Sequence, residues 1–168
     1  DHRDLHLSIR RQRQMCIRDR FLSEPENASL IGSKLKQDRH SDNTPASSHS
    51  SWNPHLIQGW TPDFIPYVLQ ETIDNNYFDE LIPVSGEQGI VWAKRLARAE
   101  GIITGISGGS TFAVAMELAK TALPDSNILC MLADTGERYL SSPLFEDIPE
   151  EMTEDEQKIS VSTPNYQL

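Results

Sequence analysis

Cysteine is scarce in this chain: two residues in 168, Cys16 and Cys130, far apart and in unlike contexts. That excludes a disulfide framework and makes a reduced, cytoplasmic setting the default. Apolar runs are short as well. None approaches a membrane span, and no apolar stretch near the amino terminus has the form of a secretion signal. Basic charge is in deficit, with 15 Lys and Arg against 25 Asp and Glu and a formal net charge of -10. Nucleic acid and anionic membranes both need basic patches, so neither is an expected partner. Histidine stops at His55, and the lysines are Lys34, Lys36, Lys94, Lys120 and Lys158. The length allows one domain with a modest core.

What is present is unevenly arranged. Residues 1–20 hold six arginines and show neither a helical nor a strand period. Met15 to Arg20, MCIRDR, resembles the translation of a transposase adapter used in sequencing libraries. The expectation is a non-native leader over residues 1–20, outside the fold, with the protein proper starting near Phe21. Residues 38–55 are rich in Ser, Asn, Asp, His and Pro and read as a surface loop. His40, His49 and His55 fit no ligand spacing and read as solvated loop histidines, so no metal site is expected. Residues 146–168 begin acidic and read as a solvated terminal helix or tail.

Between these ends, residues 21–145 alternate strand and helix signals. Phe78, Leu81, Ile82 and Val84 mark a short strand ending at Ser85. Ser85 with Gln88 is a capping box, and Ile90, Ala93, Leu96 and Ala97 form an apolar stripe at helical spacing. Gly101 is the expected C-cap. Ile102 and Ile103 begin a further strand, and Asn127 to Leu132 reads as a buried one with Cys130 inert within it. An Ala-rich helix is predicted over Thr111–Leu123. Such alternation predicts an α/β chain with a parallel sheet.

Chemistry can be argued first at Gly105-Ile106-Ser107-Gly108-Gly109-Ser110. A strand that ends in glycines and opens a helix aims backbone N–H groups and a positive dipole end at one spot. Ser107 adds a hydroxyl at the carboxyl end of a sheet strand, where open α/β sheets place ligands. The alternative is a packing turn with Ser107 or Ser110 as helix N-cap. Gly105-Ile106-Ser107-Gly108-Gly109 also has the G-x-S-x-G spacing of a nucleophile elbow, but that chemistry needs a later histidine, and none follows.

Three blocks taken together carry a resemblance: HLIQGWTPDFIP from His55, the run from Asp79 through GISGGS, and ILCMLADTGERYLSSPLF from Ile128. In order and spacing, residues 55–145 resemble the C-terminal blocks of the cysteine synthase and cystathionine β-synthase family. The GERY run favours the cysteine synthase branch. The resemblance implies a fold-type II pyridoxal-phosphate enzyme, similar to the tryptophan synthase β-subunit, with part of its large domain present. It implies that Ser107 bonds the pyridine nitrogen of pyridoxal 5'-phosphate, that Asp134 and Thr135 lie on the turn beneath the ring, and that Gln58 and Gly59 line the substrate side. The implied reaction is β-replacement on O-acetylserine by sulfide, giving L-cysteine, in a homodimeric parent. No lysine of the chain sits in a Schiff-base context and no Gly/Thr-rich phosphate cradle is present, so the chain alone is expected to be inactive. A cystathionine β-synthase-like enzyme, or a non-catalytic relative kept for partner contacts, is the alternative. Ala133 and Trp60 depart from the family pattern, where proline and a smaller residue are usual.

Overall fold

A computed structural model describes residues 19–162. Expectations for residues 1–18 of the leader and 163–168 of the tail lie outside them. Strand β1 (Phe21–Pro25) and strand β2 (Glu80–Val84) pair in parallel, Phe21 opposite Glu80 and Pro25 opposite Val84. Arg20 already belongs to this unit, since its N–H bonds Asp79 Oδ2 at 2.7 Å and its carbonyl accepts from Asp79 N at 2.8 Å. Between the strands run the polar loop and helix α1 (Tyr67–Asp74). The sequence pattern had marked neither β1 nor α1. At the end of β1, Glu24 is a buried carboxylate that accepts from Ile31 N and Gly32 N, both at 2.9 Å. The two backbone donors offset its desolvation.

Helix α2 (Gly86–Glu100) forms as its sequence predicts. Ser85 accepts from Gln88 N while the Gln88 side chain returns to Ser85 N, and Gly101 closes the helix at φ 69°. Helix α3 (Ile106–Ala119) starts five residues before the expected Thr111, so the glycine run is helix and not loop. Its N-cap is Gly105, which overturns Ser107 and Ser110 as cap candidates. Tertiary packing explains the early start. A Cβ on Gly109 would lie 2.1 Å from the Gly89 carbonyl oxygen, so α2 and α3 approach backbone to backbone. The contact offsets the helix cost of glycine. Around it, Ile57, Val84, Ala93, Ile106, Val114, Tyr139 and Leu144 form the main core, and Ala28, Leu30 and Ile65 a smaller one.

Two predicted strands are absent. Beyond Ile102 and Ile103 there is one isolated antiparallel bridge, Thr104 to Thr135, and Asn127–Leu132 is irregular. Leu129 is 98% exposed and Met131 74%, against the expectation of a buried strand. Cys130 is partly buried, and that burial pushes its thiol pKa up. The reason lies in strand physics: a strand is stable only beside a neighbour that takes its backbone bonds. Among the described residues, only β1 and β2 provide one another with that. The polar loop also departs from expectation. His40 is exposed, but His49 is 5% exposed, with Nδ1 accepting from Ser51 N at 3.2 Å, and His55 is half-buried. Helix α4 (Glu154–Ser160), boxed at its start by Thr153 and Glu156, is exposed. No described helix is long and apolar enough to cross a membrane.

The α2–α3 approach gives a direct prediction. Gly109→Ala should destabilise the fold by about 1–3 kcal/mol through overpacking. The urea midpoint measures it, and an unshifted midpoint would show that the helices do not meet so closely.

Candidate functional site

The amino end of α3 has no side-chain cap. Its serines and threonine are occupied elsewhere or turned inward. Ser110 Oγ bonds the Ile106 carbonyl at 2.9 Å, and Thr111 Oγ1 bonds the Ser107 carbonyl at 3.0 Å. Ser107 itself is 4% exposed. The first-turn N–H groups and the positive dipole end are therefore left to whatever lies before the helix.

What lies there is the turn that follows Asn127–Leu132. Thr104 Oγ1 donates to the Asp134 carbonyl at 3.1 Å, and Gly136 N donates to the Ile103 carbonyl at 3.3 Å. These bonds dock residues 134–139 on residues 103–105, and they do so with alanine at 133. The short 3-10 turn Gly136–Tyr139 then aims Tyr139 back at the helix end. Tyr139 is buried, and its hydroxyl donates to Asp134 Oδ2 at 2.7 Å. The other oxygen, Asp134 Oδ1, is buried with no hydrogen-bond partner. Gly105 makes room for the pair: a Cβ there would sit 2.3 Å from the Tyr139 ring and 2.5 Å from Asp134 Oδ1. Burial pushes the Tyr139 phenol above its ordinary range; Asp134 pushes the same way, while the Ser107 hydroxyl and Arg138 oppose it. Ser107 and Asp134 are thus brought together through Tyr139. Thr135 is not part of the cluster; its side chain is exposed and bonds Glu137 at 3.0 Å.

The second predicted pair sits on a turn over Ile57–Trp60. Ile57 is fully buried, and Trp60 packs against the main core. Trp60 N donates to the Ile57 carbonyl at 3.2 Å, and Gly59 takes φ 84°, the positive value that favours glycine. Gln58 and Gly59 are left exposed at the tip. The unusual bulk of Trp60 is therefore absorbed by the core. Thr61 follows at φ 40°, a conformation that a β-branched residue enters at a cost on the order of 1–3 kcal/mol. Among the described residues, no hydrogen bond joins this turn to Ser107. A cavity of about 360 Å³ opens nearby at the carboxyl ends of β1 and β2, lined by Glu26, His55, Leu56, Ser85 and Glu87 among others. Sequence reasoning had assigned no role to Tyr139, although it stands in the GERY run that carried the resemblance.

Comparison with known proteins gives this geometry a context. A family model described as pyridoxal-phosphate dependent enzyme matches residues 15–134, beginning inside the expected leader and taking in β1. O-ureido-L-serine synthase of Streptomyces lavendulae is 39% identical over 127 residues, covering 76% of this chain and 33% of that protein. Cysteine synthase B of Campylobacter jejuni is 45% identical over 103 residues, covering 61% of this chain and 32% of that one. A crystal structure of O-ureido-L-serine synthase superposes with a TM-score of 0.64 at 34% identity, over 88% of this chain and 40% of that chain. The chain thus spans about one third of the length of the curated relatives it matches. The family match and the superposition define the class here: the chain has the fold of part of a fold-type II pyridoxal-phosphate enzyme. The chain belongs to the pyridoxal-phosphate dependent enzyme family, among its cysteine synthase-like members.

Tyr139 provides a test of the cluster. A phenol whose pKa is raised by folding contributes stability that is full below the ordinary tyrosine value of 10.0 and is lost as pH rises through the higher folded value. In an ultraviolet titration one tyrosine should therefore ionise later than the others, and Tyr139→Phe should abolish that late step. The same change strands both Asp134 oxygens and should cost about 1–3 kcal/mol near neutral pH. A late step that survives in Tyr139→Phe would place the buried phenol elsewhere.

Proposed function

We propose that this chain forms one side of the site of a pyridoxal-phosphate-dependent cysteine synthase that makes L-cysteine from O-acetylserine and sulfide. The cluster of Ser107, Tyr139 and Asp134 at the uncapped end of α3 carries this reading. The fit to the cofactor rests on one observation above all: Ser107 is a buried hydroxyl at the uncapped end of α3, and Tyr139 beside it has committed its own hydrogen to Asp134. A neutral hydroxyl donor suits a heteroaromatic ring nitrogen that carries no proton. In this reading Ser107 holds the ring nitrogen, with Asp134 and Thr135 on the turn beneath the ring and Gln58 and Gly59 toward the substrate.

When bound, pyridoxal phosphate supplies an electron sink for elimination and replacement at the substrate β-carbon. Ser107 offers one hydrogen and no charge, so it favours an unprotonated ring nitrogen. Tyr139 commits its own hydrogen to Asp134, which leaves the Ser107 hydrogen to the phenol oxygen or the ring. The chain alone is inactive in this reading. Lys94, Lys120 and Lys158 are paired with Asp147, Glu117 and Asp155, Lys34 and Lys36 are exposed ahead of the polar loop, and among the described residues no hydrogen bond joins any of the five to Ser107, Tyr139 or Asp134.

The experiment is a chimera in which residues 21–145 replace the matching part of the Campylobacter enzyme. It should turn over O-acetylserine with sulfide. Ser107→Ala should lose one hydrogen bond, about 0.5–1.5 kcal/mol. Ser107→Asp should hold a proton on the ring by a charge-assisted bond and slow turnover further, with altered visible absorption. If Ser107→Asp matches the parent in both rate and absorption, Ser107 does not face the ring and the reading fails.

A further inference from the structure

The polar loop before the Gln58–Gly59 turn is stitched to the segment after it. Trp52 Nε1 and His55 Nε2 both lie 3.1 Å from the Thr61 carbonyl oxygen. That oxygen can only accept, so Nε2 carries the hydrogen and His55 is held in one tautomer. His49 N donates to the Asp63 carbonyl at 2.6 Å, and Ser48 Oγ bonds the Asp63 carboxylate. Gln37 Oε1 accepts from Ile65 N at 3.1 Å. The backbone groups of residues 61–65 are thus gripped from a loop that sequence read as solvated. Thr61, at the head of this segment, is the β-branched residue at positive φ. Strain of this kind persists only where surrounding contacts over-determine it, and it concentrates where geometry serves function.

We propose that His55 and Trp52 are positioning residues: their ring N–H groups hold the strained Thr61 peptide and so fix the exposed Gln58–Gly59 tip. The functional half rests on the reading that this tip faces the substrate amino acid. Ile57 and Trp60 anchor the turn in the core on one side, and the paired donors on Thr61 pin it on the other. Neither ring touches substrate in this scheme; each acts through the peptide it holds.

The test uses the 168-residue chain and the exchange rates of the Trp60 amide and the Trp52 indole N–H. His55→Leu should speed both by about fivefold to tenfold, the weight of one hydrogen bond. His55→Gln, whose Nε2 can reach the same acceptor, should stay within about twofold. Thr61→Gly relieves the strain, so in that background the effect of His55→Leu should shrink below about twofold, a coupling that independent sites do not give. Trp52→Phe, which removes only the other donor, should couple to Thr61→Gly in the same way and serves if His55→Leu does not fold. Equal acceleration in both backgrounds, or Gln no better than Leu, overturns the clamp. In the chimera, His55→Leu should raise KM for O-acetylserine at unchanged kcat. If Gln58→Ala leaves that KM untouched while the coupling stands, the substrate reading of the tip falls and the clamp remains.

Discussion

Helices α2 and α3 meet where neither has a side chain. Gly89 and Gly109 face each other, Ala93 fills the next space, and a Cβ on Gly89 would lie 2.2 Å from Ser110 Oγ. This approach fixes the height of α3 against the strands, and with it the position of the free N–H groups at its amino end. Everything polar in the candidate site is referred to that end. Gly105 is short enough to admit the Tyr139 ring, and Tyr139 then carries Asp134 to the vicinity of Ser107.

The two parts of the site differ in how they are held. The Ser107 cluster is held by one side-chain hydrogen bond, Tyr139 to Asp134 Oδ2, and leaves Asp134 Oδ1 buried without a partner. An unsatisfied buried acceptor costs about 1–3 kcal/mol, so this arrangement does not serve stability alone. The Gln58–Gly59 turn is held by mechanical means, with apolar anchors on one side and two ring donors on a strained peptide on the other. Rigidity at the tip comes from residues that sit outside it. Such an arrangement separates the exposed atoms of the tip from those that set their position.

The apolar surface around Leu129 and Met131 has a different origin. The run NILCML has strand character in its composition, yet composition does not supply hydrogen-bond partners. Among the described residues no strand lies beside it, and its side chains stand in solvent. Exposed apolar runs of this kind favour association.

Local signals in the sequence determined α2 from cap to cap, because Ser85, Gln88 and Gly101 act within a few residues of one another. They also singled out Ser107, whose glycine neighbours state that backbone must come close to something, while the turn at Asp134 came from the family resemblance. They could not determine the start of α3, since glycines favour helix only when another backbone is there to meet them. Nor could they find β1 and α1, the burial of His49, or the bond from His55 to Thr61 in a loop whose composition reads as solvent-facing. Tyr139 joins Ser107 to Asp134 across more than thirty residues of chain, and Trp52 and His55 meet Thr61 only after the loop closes on itself. Such contacts depend on where the chain returns in space, and that is decided by packing in the core, not by the residues that make the bonds.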